Sequence, residues 1–308
     1  MRHICLIAQH MASRIQIAKP DIVKEFSDGP RVLRAGDVAE VFDRRRAFWR
    51  LAKGMSLRSF VQFMTEKSDL REVRFPFPVR SVSGYTWGEV PLLETLLGLV
   101  PGAYFSHYTA LRIHGLTEQV PKTIYLSRER SSNSALDRQV GEVYEQEAID
   151  AAFARPPRIS KNEIELSKEN VRVVMLEGAY QAALGITSGE VNWGEEASLR
   201  LRYTGLERTM IDVAVRPFYA GGVFEVAKAF ENAKERLSGN ALSAMLKRLA
   251  FGYPYHQVIG YYLERAGYKK SVVDLFHRLP MERDFYLTHN MGKTSYNASW
   301  RLFVPEGF

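Results

Sequence analysis

Apolar positions along the first ninety residues change period once, and that change predicts the local fold. Ile15, Ile22, Val23 and Phe26 share one side of a helix expected over Ile15–Phe26, with Pro20 near its first turn. Asp28-Gly29-Pro30 breaks it. Val38, Val41 and Phe42 make Ala35–Phe42 a short amphipathic piece, and Asp43 is placed to cap a helix over Arg44–Lys53 that ends at Gly54. Ser56 is placed to cap Leu57–Lys67, where Leu57, Phe60, Val61 and Met64 keep helical spacing. The pattern then turns to alternation. Over Leu70–Phe77, Leu70, Glu72 and Arg74 face away from Arg71, Val73 and Phe75, and after a Pro-rich break Ser81–Trp87 reads as the return strand.

Helices followed by a hairpin, within ninety residues, is the order of a winged helix-turn-helix. The remainder mixes both periods. Pro91–Val100 reads as an apolar helix, Ser106 as the cap of a helix over His107–Gly115, and Thr123–Leu126 as a buried strand. Arg128–Asp137 is polar and without period, the best linker candidate. Ile164–Leu166 and Val171–Met175 look like strands; Phe224–Arg236, Ala241–Leu249 and Pro254–Arg265 look like helices ending at Gly239, Gly252 and Gly267. The expected class is α+β, with a winged helix-turn-helix over residues 1–95 and a mixed α/β domain with a helical end over residues 96–308. On length grounds, a fragment from Ser132 to Phe308 is also expected to fold by itself.

Charge sharpens this division. Residues 1–90 carry 16 Lys and Arg against 10 Asp and Glu, whereas residues 91–308 carry 26 against 25, so the net charge of +7 is largely an N-terminal property. Such a surplus fits a polyanionic partner. Arg44, Arg45, Arg46, Arg50, Lys53 and Arg58 concentrate it on the middle helices, and Arg71, Arg74 and Arg80 decorate the hairpin. Arg suits bidentate contact with guanine edges and phosphates, so these nine residues are the candidate DNA-binding set. The alternative is that individual arginines pair with Asp37, Glu40 or Asp43 on the protein itself. Cys5 is the lone cysteine, which excludes an internal disulfide framework. The start has no secretory-signal pattern and no apolar run is long enough to span a bilayer, so a cytoplasmic protein without membrane association is expected.

Catalytic patterns are missing. His107 and His114 could share a helix face, but without a third ligand nearby a packed or capping role is the better reading. Ser106-His107 lacks the surroundings of an activated nucleophile. Glu195-Glu196 and Glu163/Glu165 lie on polar segments where solvated charge is expected, and the chain holds no Asp-x-Asp and no Gly-rich phosphate loop. No enzyme activity, cofactor or metal is expected.

Several segments, in order, resemble the AbiEi family, the antitoxins of bacterial abortive-infection toxin–antitoxin pairs. Leu57–Phe75 is similar to the family's third helix and first wing strand, and Tyr85-Thr86-Trp87-Gly88 to the close of its wing. His107–Gln119, HYTALRIHGLTEQ, resembles the segment that follows the winged domain. Glu207-Arg208-Thr209-Met210-Ile211-Asp212 resembles the family's Glu-Arg-Thr-Leu-Ile-Asp helix, followed by Arg216-Pro217 and Ala220-Gly221-Gly222. The resemblance covers about Ala35 to Gly267. It implies a transcriptional repressor for phage defence that binds double-stranded DNA at its own promoter through the winged helix. It also implies neutralisation of a nucleotidyltransferase-like toxin by the C-terminal domain, usually without a tight complex. A winged-helix regulator without a toxin partner is the alternative; a metal-dependent nuclease assembled only in the fold is a third. Arg208 and Asp212, four apart on a helix, could equally pair as a structural brace. The tail after Lys269, with Phe285, Tyr286, Tyr296, Trp300 and Phe303, is expected to close the core rather than to present a partner surface.

Overall fold

The structure, a computed structural model, describes residues 13–120, 122–131, 144–194 and 198–308. It is mixed α/β and divides into two compact units. The first comprises the described residues up to Pro76 together with Arg80–Pro101; the second comprises Phe77–Val79 and Gly102–Phe308.

In the first unit the order is α1 (Arg14–Ser27), β1 (Val32–Leu33), α2 (Ala35–Arg45), α3 (Leu57–Lys67), β2 (Leu70–Phe75), β3 (Val82–Trp87) and α4 (Leu92–Leu99). β2 and β3 form an antiparallel hairpin from Leu70↔Trp87 to Phe75↔Val82, and β1 adds to the other edge of β3 through Val32↔Thr86. Phe60 of α3 is fully buried at the centre of the core. Its ring lies 5.0 Å from Phe42, 5.8 Å from Trp49 and 6.4 Å from Phe26. Burying an aromatic ring of this kind contributes roughly 1.5–3 kcal/mol. α4 joins this unit because Gly98 lets it lie directly against Val32, where a Cβ would collide with the valine side chain. The division therefore falls at Pro101, after α4, rather than at residue 95.

Two expected boundaries in this unit change. Pro20 lies inside α1, where its ring nitrogen removes the bond that Gln16 O would otherwise accept. The helix expected over Arg44–Lys53 does not form, because Asp43 lies within α2 instead of capping a new helix. The chain continues as turns through Arg46–Arg50 and is closed by paired bonds, Leu51 N to Arg46 O at 3.1 Å and Arg50 N to Ala47 O at 3.0 Å. Arg50 occupies the left-handed position between them at φ 51°, where glycine is the usual residue. Ser56 does cap α3, accepting from Ser59 N at 3.1 Å.

The second unit is built on a six-stranded mixed sheet. Its strands are β4 (Tyr104–Phe105), β5 (Thr123–Glu129), β6 (Glu163–Leu166), β7 (Val171–Gly178), β8 (Ile186–Val191) and β9 (Leu199–Thr204), in the order β6-β7-β5-β4-β9-β8. β5 runs parallel to β7 along its whole length. The helices are α5 (His107–Ile113), α6 (Gln146–Phe153), α7 (Leu206–Val215), α8 (Val223–Ala233), α9 (Gly239–Leu249), α10 (Tyr255–Arg265) and α11 (Lys270–His277). A small sheet of β10 (Phe285–Tyr286), β11 (Thr294–Asn297) and β12 (Leu302–Pro305) ends the chain.

The linker expected over Arg128–Asp137 is corrected in part: Arg128 and Glu129 end β5 at the middle of the sheet, and residues 132–137 lie outside the described ones. A fragment starting at Ser132 would lack β4, α5 and β5, so it cannot rebuild this sheet. The tail closes the core. Trp300 is fully buried, stacks on His277 at 3.7 Å, donates from Nε1 to Glu264 Oε2 at 2.7 Å, and rests directly on Gly260 of α10.

Candidate nucleic-acid interface

The nine basic residues singled out in the sequence fall into two groups. The first is tied down by the protein. Arg45 Nη2 lies 2.7 Å from Glu25 Oε2 on α1, and Arg44 Nη2 donates to the other oxygen of the same carboxylate at 3.2 Å. Arg45 first, then Arg44, holds the Glu25 carboxyl below its ordinary value despite some burial. Arg46 lies over the Phe42 ring at 4.9 Å and donates to Lys53 O at 3.0 Å. Arg71 pairs with Glu89 at 2.9 Å, and Arg74 Nε donates to Ser81 Oγ at 3.3 Å. Asp43, considered as a pairing partner, takes part in none of these bonds; Glu25 was not foreseen, since nineteen residues separate it from Arg44.

The second group, Arg50, Lys53, Arg58 and Arg80, is exposed, and none of the four side chains has a hydrogen bond or ion pair to a described residue. Three of the four cluster around the start of α3. Arg50 projects from the left-handed turn while its neighbours Trp49 and Leu51 are buried, Lys53 follows in the loop, and Arg58 begins the helix. The free N–H groups of a helix start add to this positive field. Ser59 and Gln62 are exposed on the same side of α3 as Arg58, one turn apart, and supply groups able to hydrogen-bond base edges. Sequence reading by charge passed over them, although small polar residues spaced along the outer side of this helix were the available signal. The β2–β3 connection leaves the first unit at Phe77 and re-enters it at Arg80.

In the second unit, the motif residues serve packing. Arg208 and Asp212 form a buried ion pair at 2.8 Å, and the guanidinium also donates to Leu184 O and Gln181 Oε1, both at 2.7 Å. His114 Nε2 bonds Thr204 O at 2.8 Å. Ser106 does not cap α5 with its side chain; its Oγ lies 2.7 Å from His107 Nδ1 and 2.6 Å from Ser127 Oγ. His107 is buried with φ 50°, and desolvation, aided by Arg216 and Arg208, holds its ring well below the ordinary histidine range. Glu163 and Glu165 both approach Arg172, at 4.0 and 2.6 Å. Glu195 and Glu196 lie outside the described residues. Among the described residues no three His, Cys, Asp or Glu side chains gather as a metal site, and no helix is long and apolar enough to cross a membrane.

No protein-family model matches the chain, and no curated protein matches it either. Its fold is similar to the crystal structure of the RV2827C protein from Mycobacterium tuberculosis, with a TM-score of 0.57 at 14% identity, covering 95% of this chain and 92% of that one. At that identity the likeness concerns the fold alone.

Proposed function

We propose that the chain is a DNA-binding antitoxin of the AbiEi kind. Its first unit is a winged helix that represses the chain's own promoter, and its second unit neutralises a nucleotidyltransferase-like toxin. The observation that carries the reading is the first unit's order α1-β1-α2-α3-β2-β3, with unpartnered cations gathered at the start of α3. In a winged helix the third helix enters the major groove and the hairpin follows the phosphates. Arg50, Lys53 and Arg58 would meet the backbone around the groove, Ser59 and Gln62 the base edges, and Arg80 the flanking phosphates. Arg44 and Arg45, held by Glu25, tie α2 to α1, and Arg46 braces the loop before α3 through Lys53 O, so these three are not assigned DNA contacts. The reading gives the chain no catalytic step.

Nuclease footprinting of the DNA upstream of the chain's own gene tests the repressor half, with a discrete protected site expected. Co-expression with the neighbouring gene tests the antitoxin half. Rescue of growth by the full chain, retained when Arg50, Lys53 and Arg58 are all alanine, is expected. Repression without any rescue would favour a regulator that has no toxin partner.

A further inference from the structure

The second unit contains a cleft of about 1090 Å³ that the repressor reading does not use. One wall is the segment Arg155-Pro156-Pro157-Arg158, whose two prolines restrict the backbone. Ser160 fastens its end: the Ser160 amide donates to Tyr219 Oη at 2.7 Å, and Ser160 Oγ donates to Met175 O at 2.9 Å. Arg155, Arg158 and Lys161 from this wall and Arg216 from the end of α7 line the cleft. All four are exposed, and none of their side chains has a hydrogen bond or ion pair to a described residue. The acid on the lining, Glu177, is paired with Arg128. Much of the remaining lining is aromatic. Phe218, Tyr253 and His289 are half-buried there, each backed by another ring: Tyr219 at 4.7 Å, Tyr144 at 4.6 Å and Phe153 at 4.1 Å.

Unpaired cations and part-exposed rings lining one cleft are the two parts of a site for unpaired bases on a phosphate backbone. We propose that this cleft binds a short single-stranded nucleic acid, with its phosphates on Arg155, Arg158, Lys161 and Arg216 and its bases against Phe218 and Tyr253. A duplex keeps its base faces inside its own stack, so ring walls select against it. The volume, at the upper end of the roughly 300–1,000 Å³ usual for ligand sites, leaves room for more than one nucleotide. Burial keeps His289 below its ordinary value, so it contributes a neutral ring rather than a fifth charge.

The test uses the full chain with Arg50, Lys53 and Arg58 replaced by alanine, so that duplex binding at α3 does not contribute. Fluorescein-labelled (dT)8 is titrated at low salt and followed by anisotropy. The expected result is saturable binding that weakens steeply with salt. It should fall about tenfold with Phe218→Leu and at least as far with Arg158→Ala/Arg216→Ala, the latter with a shallower salt slope because fewer phosphates are neutralised. Poly-glutamate of equal length should not compete. The two arginine changes touch exposed, unpartnered side chains, so unfolding does not confuse their outcome. Absence of binding, equal binding by the arginine variant, or displacement by poly-glutamate as effective as by unlabelled (dT)8 would each overturn the proposal, the last in favour of an acidic peptide.

Discussion

Arg45 reaches back from the last turn of α2 to Glu25 of α1, 2.7 Å from Nη2 to Oε2, and Arg44 shares that carboxylate. One acid thus occupies two of the most conspicuous cations in the chain. Glu25→Gln should release Arg45 and leave Arg44 only its 3.8 Å contact with Glu40, raising low-salt affinity for nonspecific duplex DNA several-fold and steepening the log–log salt slope by about one to two, since each phosphate contact adds about 0.9. Anisotropy with a labelled duplex across a salt series checks this. An unchanged slope would show that these arginines cannot reach DNA even when free. The change should also remove an acid-sensitive contribution. Glu25 has its pKa lowered in the folded state, so its stabilisation is present above about 4.3 and is lost as the pH falls through the lower folded value.

Arg50 should show a trade between stability and binding. It holds φ 51° at the position closing the turns that follow α2, where a side chain costs about 1–2 kcal/mol in the left-handed region and glycine avoids that strain. Arg50→Gly is expected to stabilise the first unit by about 1 kcal/mol, partly offset by the greater freedom of glycine in the unfolded chain, while weakening duplex binding. Urea unfolding together with a binding isotherm would show the two changes moving in opposite directions. A loss of stability would mean that Arg50 makes a contact the fold depends on.

Much of the first unit was legible in the sequence, because α1, α3 and the return strand of the hairpin bury residues at unbroken period, although β2 buries both its ends, Leu70 and Phe75. The end of α2 was not. Asp43 reads as a cap by residue type, but Phe42 and Trp49 both pack on Phe60, and that long-range burial carries the helix past it. The basic cluster was visible as charge, whereas its division into braced and free arginines depended on Glu25, whose proximity only the folded chain reveals. In the second unit, β9 alternates as Leu199-Arg200-Leu201-Arg202 and was open to detection. β4 has only two residues, too short for any period to register. The cleft was hidden altogether, because Arg158, Arg216, Phe218 and Tyr253 come from separate segments.

Acid should destabilise the second unit well before its carboxylates titrate. Desolvation lowers the pKa of His107, His114, His256 and His289 in the folded state. The unfolded chain, with histidine near about 6.5, therefore binds more protons below that pH, so stability is full above it and declines as the pH falls. The slope can approach about 1.4 kcal/mol per pH unit for each histidine kept neutral. The melting temperature should drop between pH 7.5 and 5.5, and His107→Asn, which tolerates the left-handed backbone, should reduce the drop. A flat profile would contradict the burial of these rings.

Gly260 and Trp300 test the closing role of the tail. A methyl group at Gly260 would overlap the indole ring, so Gly260→Ala should destabilise by about 1–3 kcal/mol, or more if α10 cannot shift. Trp300→Ala should cost about 3–5 kcal/mol. With both changes together the cost should be less than the sum, because the cavity left by the indole accepts the methyl. Strict additivity in chemical denaturation would show that the two residues are not coupled.

The central claim is that the first unit reads duplex DNA through the start of α3, and a binding isotherm measures it most directly. Full-length chain is titrated against a labelled duplex from upstream of its own gene, with excess unrelated duplex present, and compared with Arg50→Ala/Lys53→Ala/Arg58→Ala. Saturable binding is expected for the parent, with at least a hundredfold loss in the triple variant and little change in thermal stability, since these side chains are exposed and unpartnered. Equal affinity for the unrelated duplex, or full affinity in the triple variant, would contradict the account.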